Sequence, residues 1–149
     1  MSNEKIGNFF RRIFVPVART GLFVVFFWFG ALKVFGLSPA TPLVQALFER
    51  TISFLPFSSF IILFGVLEMI IGVLFLFRGY ERAASSILFL HMITTILPLF
   101  LVPQATWSGF LVPTLEGQYI IKNLLIISTA IGLIAHRELR GDSLLDRGR

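Results

Sequence analysis

The sequence predicts an all-α fold, an integral membrane four-transmembrane-helix bundle with a short interfacial helix between helices 1 and 2. Three observations predict it. Four apolar runs approach the roughly 20 residues that a helix needs to cross the hydrocarbon core of a bilayer. Of the 149 residues, 56% are hydrophobic, 18 are phenylalanine and only 14% are charged, far from the balance of a soluble domain. The basic residues sit at the ends of the apolar runs, where topology signals belong. One bundle uses the whole length, so residues 1–149 read as a single membrane domain.

Residues 1–16 form a polar end in which Lys5, Arg11 and Arg12 alternate with Phe9, Phe10, Ile13 and Phe14. That mixture suits a short amphipathic helix lying along the headgroups. The first span follows at about residues 17–37. A secretory signal would also pair a basic stretch with an apolar one. Here the run is longer than a signal core, contains Lys33 and lacks a small-residue cleavage site, so a retained first helix is expected. Thr41 and Pro42 then mark a helix start, a capping side chain followed by proline in the first turn. Leu43, Val44, Leu47 and Phe48 share one face of that helix against Gln45, Glu49 and Arg50, and it ends near Pro56.

The second span, residues 59–77, reads SFIILFGVLEMIIGVLFLF and carries one ionisable residue, Glu68, at its middle. A carboxyl group there is costly unless it is neutral, paired or turned to a protected interior. Gly65 and Gly72 lie on the same side, and small residues let helices approach closely in lipid. Glu68 is therefore expected to face the bundle. A short basic turn, Arg78–Arg82, leads into the third span at residues 83–102. Pro98 removes a backbone hydrogen bond there and should bend the helix. Residues 103–118 read as an aromatic, proline-containing loop whose Trp107 and Phe110 suit the membrane interface. The fourth span is residues 119–135, with Lys122 and Asn123 in its first turns, and residues 136–149 read as a solvated, partly disordered polar end. Counting Arg19 at the very start of the first span with the N-terminal end, the two ends and the Arg78–Arg82 turn hold ten of the 13 lysines and arginines, which predicts that both termini face the cytoplasm.

Composition also excludes several function classes. A net charge of +5 could suggest nucleic acid, but the basic residues form no stripe with stacking aromatics, so no nucleic-acid partner is expected. With no cysteine, the chain has no disulfide, thiol nucleophile or iron–sulfur ligand. Phosphate loops, Ser-His-Asp arrangements and zinc motifs are missing as well, and no metal site is expected.

The polar residues inside the spans are the candidates for function. At about 1.5 Å per residue, Lys33 lies roughly 6 Å inside the outer boundary and Glu68 roughly 13 Å inside it. A lysine stem covers most of that difference, so a Lys33–Glu68 pair is within reach. His91 falls at a depth similar to Glu68. Lys122 starts near the outer boundary, close to Glu116. Together Lys33, Glu68, His91, Glu116, Lys122 and Asn123 would line a polar pocket opening outward, suited to an anionic or quinone-like head group or to a proton relay. The bland alternatives stay open: snorkelling lysines, a carboxyl that only fixes packing, and a hydrogen-bonded interior histidine. His136 lies about 12 Å in depth from His91 at the same rise. Two histidines of one chain then do not meet at one iron, and haem is not expected.

Four stretches, FWFGALKVFG, GVLEMIIGVLFLF, HMITTILPLFLVPQATW and PTLEGQYIIKN, resemble the DoxX-like family of small four-helix membrane proteins. The resemblance extends over about residues 22–135. It rests on Gly30, Lys33, Glu68, Gly72, His91, Pro98, Glu116, Gly117, Lys122 and Asn123. It implies the four-helix fold, a place in the bacterial cytoplasmic (inner) membrane, and membrane subunits tied to quinone-linked oxidation of sulfur compounds or to oxidative and chlorine stress. Quinone is the cofactor it points to, and partner redox subunits or a second copy of the chain are the partners. It carries over no catalytic residue. The functional expectation is an accessory redox or stress-response subunit with a polar pocket in the outer half of the bundle. Two rivals are a structural or scaffolding membrane protein without its own ligand and a small proton-coupled transporter.

Overall fold

A computed structural model describes residues 3–52 and 54–146. The element order is α1 (Asn3–Val34), α2 (Thr41–Thr51), α3 (Phe57–Leu76), α4 (Glu81–Ile96), α5 (Pro98–Leu101), α6 (Pro103–Thr106), β1 (Trp107–Gly109), β2 (Val112–Pro113) and α7 (Leu115–Asp146). Four segments are long and apolar enough to cross a membrane: Arg12–Val34, Phe57–Leu76, Glu81–Leu101 and Leu115–Arg137. The expected number of spans and their order hold. They run alternately up and down, so Arg19, Glu81 and Arg137 meet at one end, while Lys33, Glu68 and His91 meet toward the other.

Several boundaries differ from expectation for physical reasons. The basic N-terminal stretch and the first span form one continuous helix with Pro16 inside it, not a separate short helix followed by a span. Helix α2 starts at Thr41, but its cap residue is Ala40, and the Thr41 hydroxyl is buried without a partner. Ser38 Oγ instead accepts a bond from the Ala40 N–H. Pro98 breaks the third span at Leu97, leaving α5 as a separate turn. The expected loop 103–118 is built from α6, a two-stranded hairpin and the first turn of α7, because Thr114 caps that helix by accepting from the Gly117 N–H at 3.2 Å. The tail is helical to Asp146, not loose; Arg147 and Arg149 lie outside the described residues.

Turns are set by glycine where the backbone demands it. Helix α1 ends in a Schellman motif: Leu37 N–H bonds Leu32 C=O at 2.8 Å and Gly36 N–H bonds Lys33 C=O at 3.1 Å. Gly36 takes φ +70, and Gly79 takes φ +99 in the α3–α4 turn, both left-handed.

The core is an apolar slab between the two polar ends. It contains Leu22 and Phe26 of α1, Ile71 and Phe75 of α3, Leu88 and Met92 of α4, and Ala130 and Leu133 of α7. Helices α1 and α3 lie in backbone contact along a glycine seam. A Cβ on Gly65 would sit 2.6 Å from the Gly30 carbonyl oxygen, and one on Gly72 would sit 2.9 Å from the Phe27 nitrogen. Gly21 of α1 faces open space. Gly65→Val is therefore expected to cost on the order of 1–3 kcal/mol by prising the pair apart, whereas Gly21→Ala is tolerated. Thermal unfolding of both variants in one detergent checks the contrast.

Candidate functional site

Three spans each contribute one polar side chain to a single buried group. Lys33 comes from the last turn of α1, Glu68 from the middle of α3 and His91 from α4, and they are 6%, 6% and 3% exposed. Lys33 Nζ donates to Glu68 Oε2 at 2.6 Å, and His91 Nε2 stands 3.3 Å from Glu68 Oε1. The carboxylate thus bridges the two nitrogens with its two oxygens. The lysine turns inward to the pair and does not extend along the helix toward its exposed end. Burying this carboxyl group is tolerable here because Lys33 donates to one oxygen and His91 Nε2 stands beside the other.

The glycine seam is what admits this geometry. With Gly30 against Gly65, α1 and α3 come close enough for Lys33 to meet Glu68 one turn along. The His91 ring packs against Phe64, tilted 38° at 4.8 Å between centroids, and makes an edge contact with Phe26 at 5.9 Å and 73°. Its Nδ1 is buried without a hydrogen-bond partner.

Beside the group lies a cavity of about 110 Å³. Glu68, His91, Thr95 and Asn123 supply its polar lining, and Val25, Phe26, Phe29, Met92 and Ile126 its apolar lining. Its lining comes from all four long helices, and Phe29 of α1 is 53% exposed. A single buried water needs on the order of 10–15 Å³. The cavity has room for several waters or for one six-membered ring.

The structure therefore brings Lys33, Glu68 and His91 together and sets Asn123 on the wall of the adjoining cavity. It leaves Lys122 and Glu116 outside, both on exposed positions of α7. Lys122 Nζ rests over the Tyr119 ring, 4.8 Å from its centroid. Among the described residues no group of three histidines and carboxylates stands ready to hold a metal.

A second buried charge group escaped the sequence reasoning. Glu81, 4% exposed, accepts from Arg19 through Oε1, and through Oε2 from the Gly79 N–H at 2.9 Å and from Arg137 at 3.2 Å. Arg137 also donates to the Gly79 carbonyl at 3.0 Å. Glu81 was hidden in a turn counted for its positive charge. The usable signal was Arg19, which lies inside the first apolar run just as Lys33 does and so needs a counter-charge.

The end beyond Glu68 and His91 is closed by hydrogen bonds to carbonyls that Pro98 and the bend expose. Trp107 Nε1 donates to Leu99 C=O at 2.9 Å, and the fully buried Thr106 lies within reach of the carbonyls of Pro98 and Val102. Gly117 packs directly on the Thr106 backbone, where a Cβ would collide.

Compared with family models, curated proteins and solved structures, the chain matches none.

Proposed function

We propose that the chain is a DoxX-like protein of the bacterial cytoplasmic membrane, with both termini inside, that serves as a non-catalytic accessory subunit of a quinone-linked redox or oxidative-stress assembly. Helix α2 lies along the outer interface, and the Glu68 cavity receives a single-ring head group from the bilayer. One observation carries the reading: Glu68, held between Lys33 and His91, lines a cavity walled by four apolar helices. A quinone enters such a site from the hydrocarbon phase without crossing water, and a few placed polar groups in an apolar pocket are what small-molecule sites use for orientation.

The rival readings have less support. Gly65 and Gly72 are occupied by α1 within the chain, so they do not speak for self-association. A proton path through the bundle would have to cross Ile71, Phe75 and Leu88, which are fully buried apolar residues between the two charge groups.

The test is equilibrium titration of the purified protein in lipid nanodiscs with decyl-ubiquinone. Wild type is expected to bind saturably. Asn123→Leu, which fills the cavity and removes its amide, should weaken binding roughly tenfold. Ser128→Ala, on an exposed part of the same helix, should leave it unchanged. No saturable binding by the wild type would sink the reading.

A further inference from the structure

We infer that Glu116, Tyr119 and Lys122 of α7 form a binding site for the headgroup of a zwitterionic phospholipid that carries a phosphate and a primary ammonium. The site stands apart from the Glu68 cavity and does not depend on the quinone reading.

The chain has two lysines inside its spans, and only one of them has a counter-charge. Lys33 is buried on Glu68. Lys122 is exposed, and among the described residues it has no ion pair and no hydrogen bond. Its ammonium rests on the Tyr119 ring alone, 4.8 Å from the centroid. Its exposed neighbours include Ile121 and Leu125, an apolar surface of the kind that faces lipid. The fourth span begins at Leu115, so the Lys122 backbone lies about 10 Å inside it. An ammonium that starts at this depth on an outward face is costly until an anion meets it.

Helix geometry says where the anion must be. Helical side chains lean toward the N-terminal end of their helix, which for α7 is the near edge of the span. Nζ over the ring of Tyr119, three residues back, follows that course. The ammonium therefore comes up to the level of Tyr119, within about 6 Å of the start of the span. A phospholipid phosphate is the anion that a leaflet offers there, and lysine binds phosphate as a point charge. Tyr119 is 58% exposed, and its hydroxyl is a second donor beside the ammonium.

Glu116 supplies the other half of the pattern. It is exposed, one residue inside the span, and it too has no hydrogen bond or ion pair among the described residues. Six residues, about 9 Å of rise, keep it from pairing with Lys122 directly. Glu116, Tyr119 and Lys122 follow one another at intervals of three, so each is the surface neighbour of the next. The carboxylate is thus about 4.5 Å nearer the headgroups than Tyr119. Along the span the cation lies deeper and the anion shallower. An ethanolamine headgroup has the matching order, with its phosphate next to the glycerol and its ammonium one two-carbon arm further out. The phosphate meets Lys122 and Tyr119, and the ammonium donates to Glu116. A choline headgroup places its phosphate equally well but has no N–H for the carboxylate.

The test is native mass spectrometry of the purified protein, titrated in one detergent with dioleoyl phosphatidylethanolamine or dioleoyl phosphatidylcholine. The two lipids share their net charge, so basic residues elsewhere on the chain treat them alike. Wild type should bind the ethanolamine lipid about fivefold more tightly. Glu116→Gln should bring the two affinities together, and Lys122→Met should weaken the ethanolamine lipid by about fivefold. Both side chains are exposed and unbonded within the chain, so the variants should unfold at the wild-type temperature. Equal affinity of the wild type for the two lipids overturns the inference, as does an ethanolamine preference that survives Glu116→Gln or an affinity unmoved by Lys122→Met. Carbodiimide crosslinking of Lys122 to a protein carboxylate in native membranes overturns it as well, since the ammonium would then belong to a partner chain.

Discussion

Glu68→Ala is expected to destabilise the folded chain by about 3–5 kcal/mol, among the largest losses available to any single substitution here. The cost does not arise from the lost attraction alone. Lys33 is 6% exposed and has its ammonium on Glu68 Oε2, so truncation leaves a buried cation without a counter-charge. His91 Nε2 loses its acceptor at the same time. Removing both charges together avoids that penalty. The double variant Lys33→Met, Glu68→Leu is therefore expected to recover most of the loss, since apolar residues of similar volume often replace a buried pair at little cost. Denaturant titration of the two variants beside wild type, in one detergent, checks the contrast. A double variant as unstable as the single one would show that the pair does more than satisfy itself.

Glu81→Ala should have an effect of similar size, about 3–5 kcal/mol, at the opposite end of the bundle. Three elements depend on this carboxylate: Arg19 of α1, Arg137 of α7 and the Gly79 N–H in the α3–α4 turn. Arg19 has a side chain only 12% exposed, so it cannot turn to water once its partner is gone. Arg137 is 41% exposed, and Arg137→Ala should cost about 1 kcal/mol or less. The ordering Glu81 far above Arg137, read from thermal unfolding, is the informative outcome. Equal effects would mean that the group is held from the solvent side.

Much of the site was legible in the sequence because hydrocarbon makes charge conspicuous. Glu68 stands alone in a 19-residue apolar run, and counting depth along each helix was enough to pair it with Lys33 and to bring His91 level with it. Lys122 and Glu116 show where such counting fails. Depth is shared by every face of a helix, and the rotation of α7, which turns Asn123 toward the cavity and Lys122 outward, is fixed by packing against α1 and α4 that no single run reveals. Glu81 was missed for a different reason. It sits at the end of a span among arginines, where charge is ordinary and burial is not apparent. The fold of residues 103–118 was missed because its order comes from Thr106, Trp107 and Thr114 binding carbonyls eight or nine residues back, bonds with no periodic signature.

The glycine seam between α1 and α3 also bears on how the chain is made. Lys33 and Glu68 lie 35 residues apart, on helices that are consecutive spans, whereas Arg19 and Glu81 are 62 apart. A lone charge at the middle of an inserting helix costs about 2.5–3.5 kcal/mol. If the first two spans leave the translocon as a hairpin already closed along the seam, neither charge needs to meet lipid by itself, because each carries its counterion. Arg19 can wait at the headgroups, near the end of its helix, until Glu81 arrives on the third span. The close approach of two backbones would then act during synthesis, letting a nascent chain deliver a carboxylate to mid-membrane in neutral company.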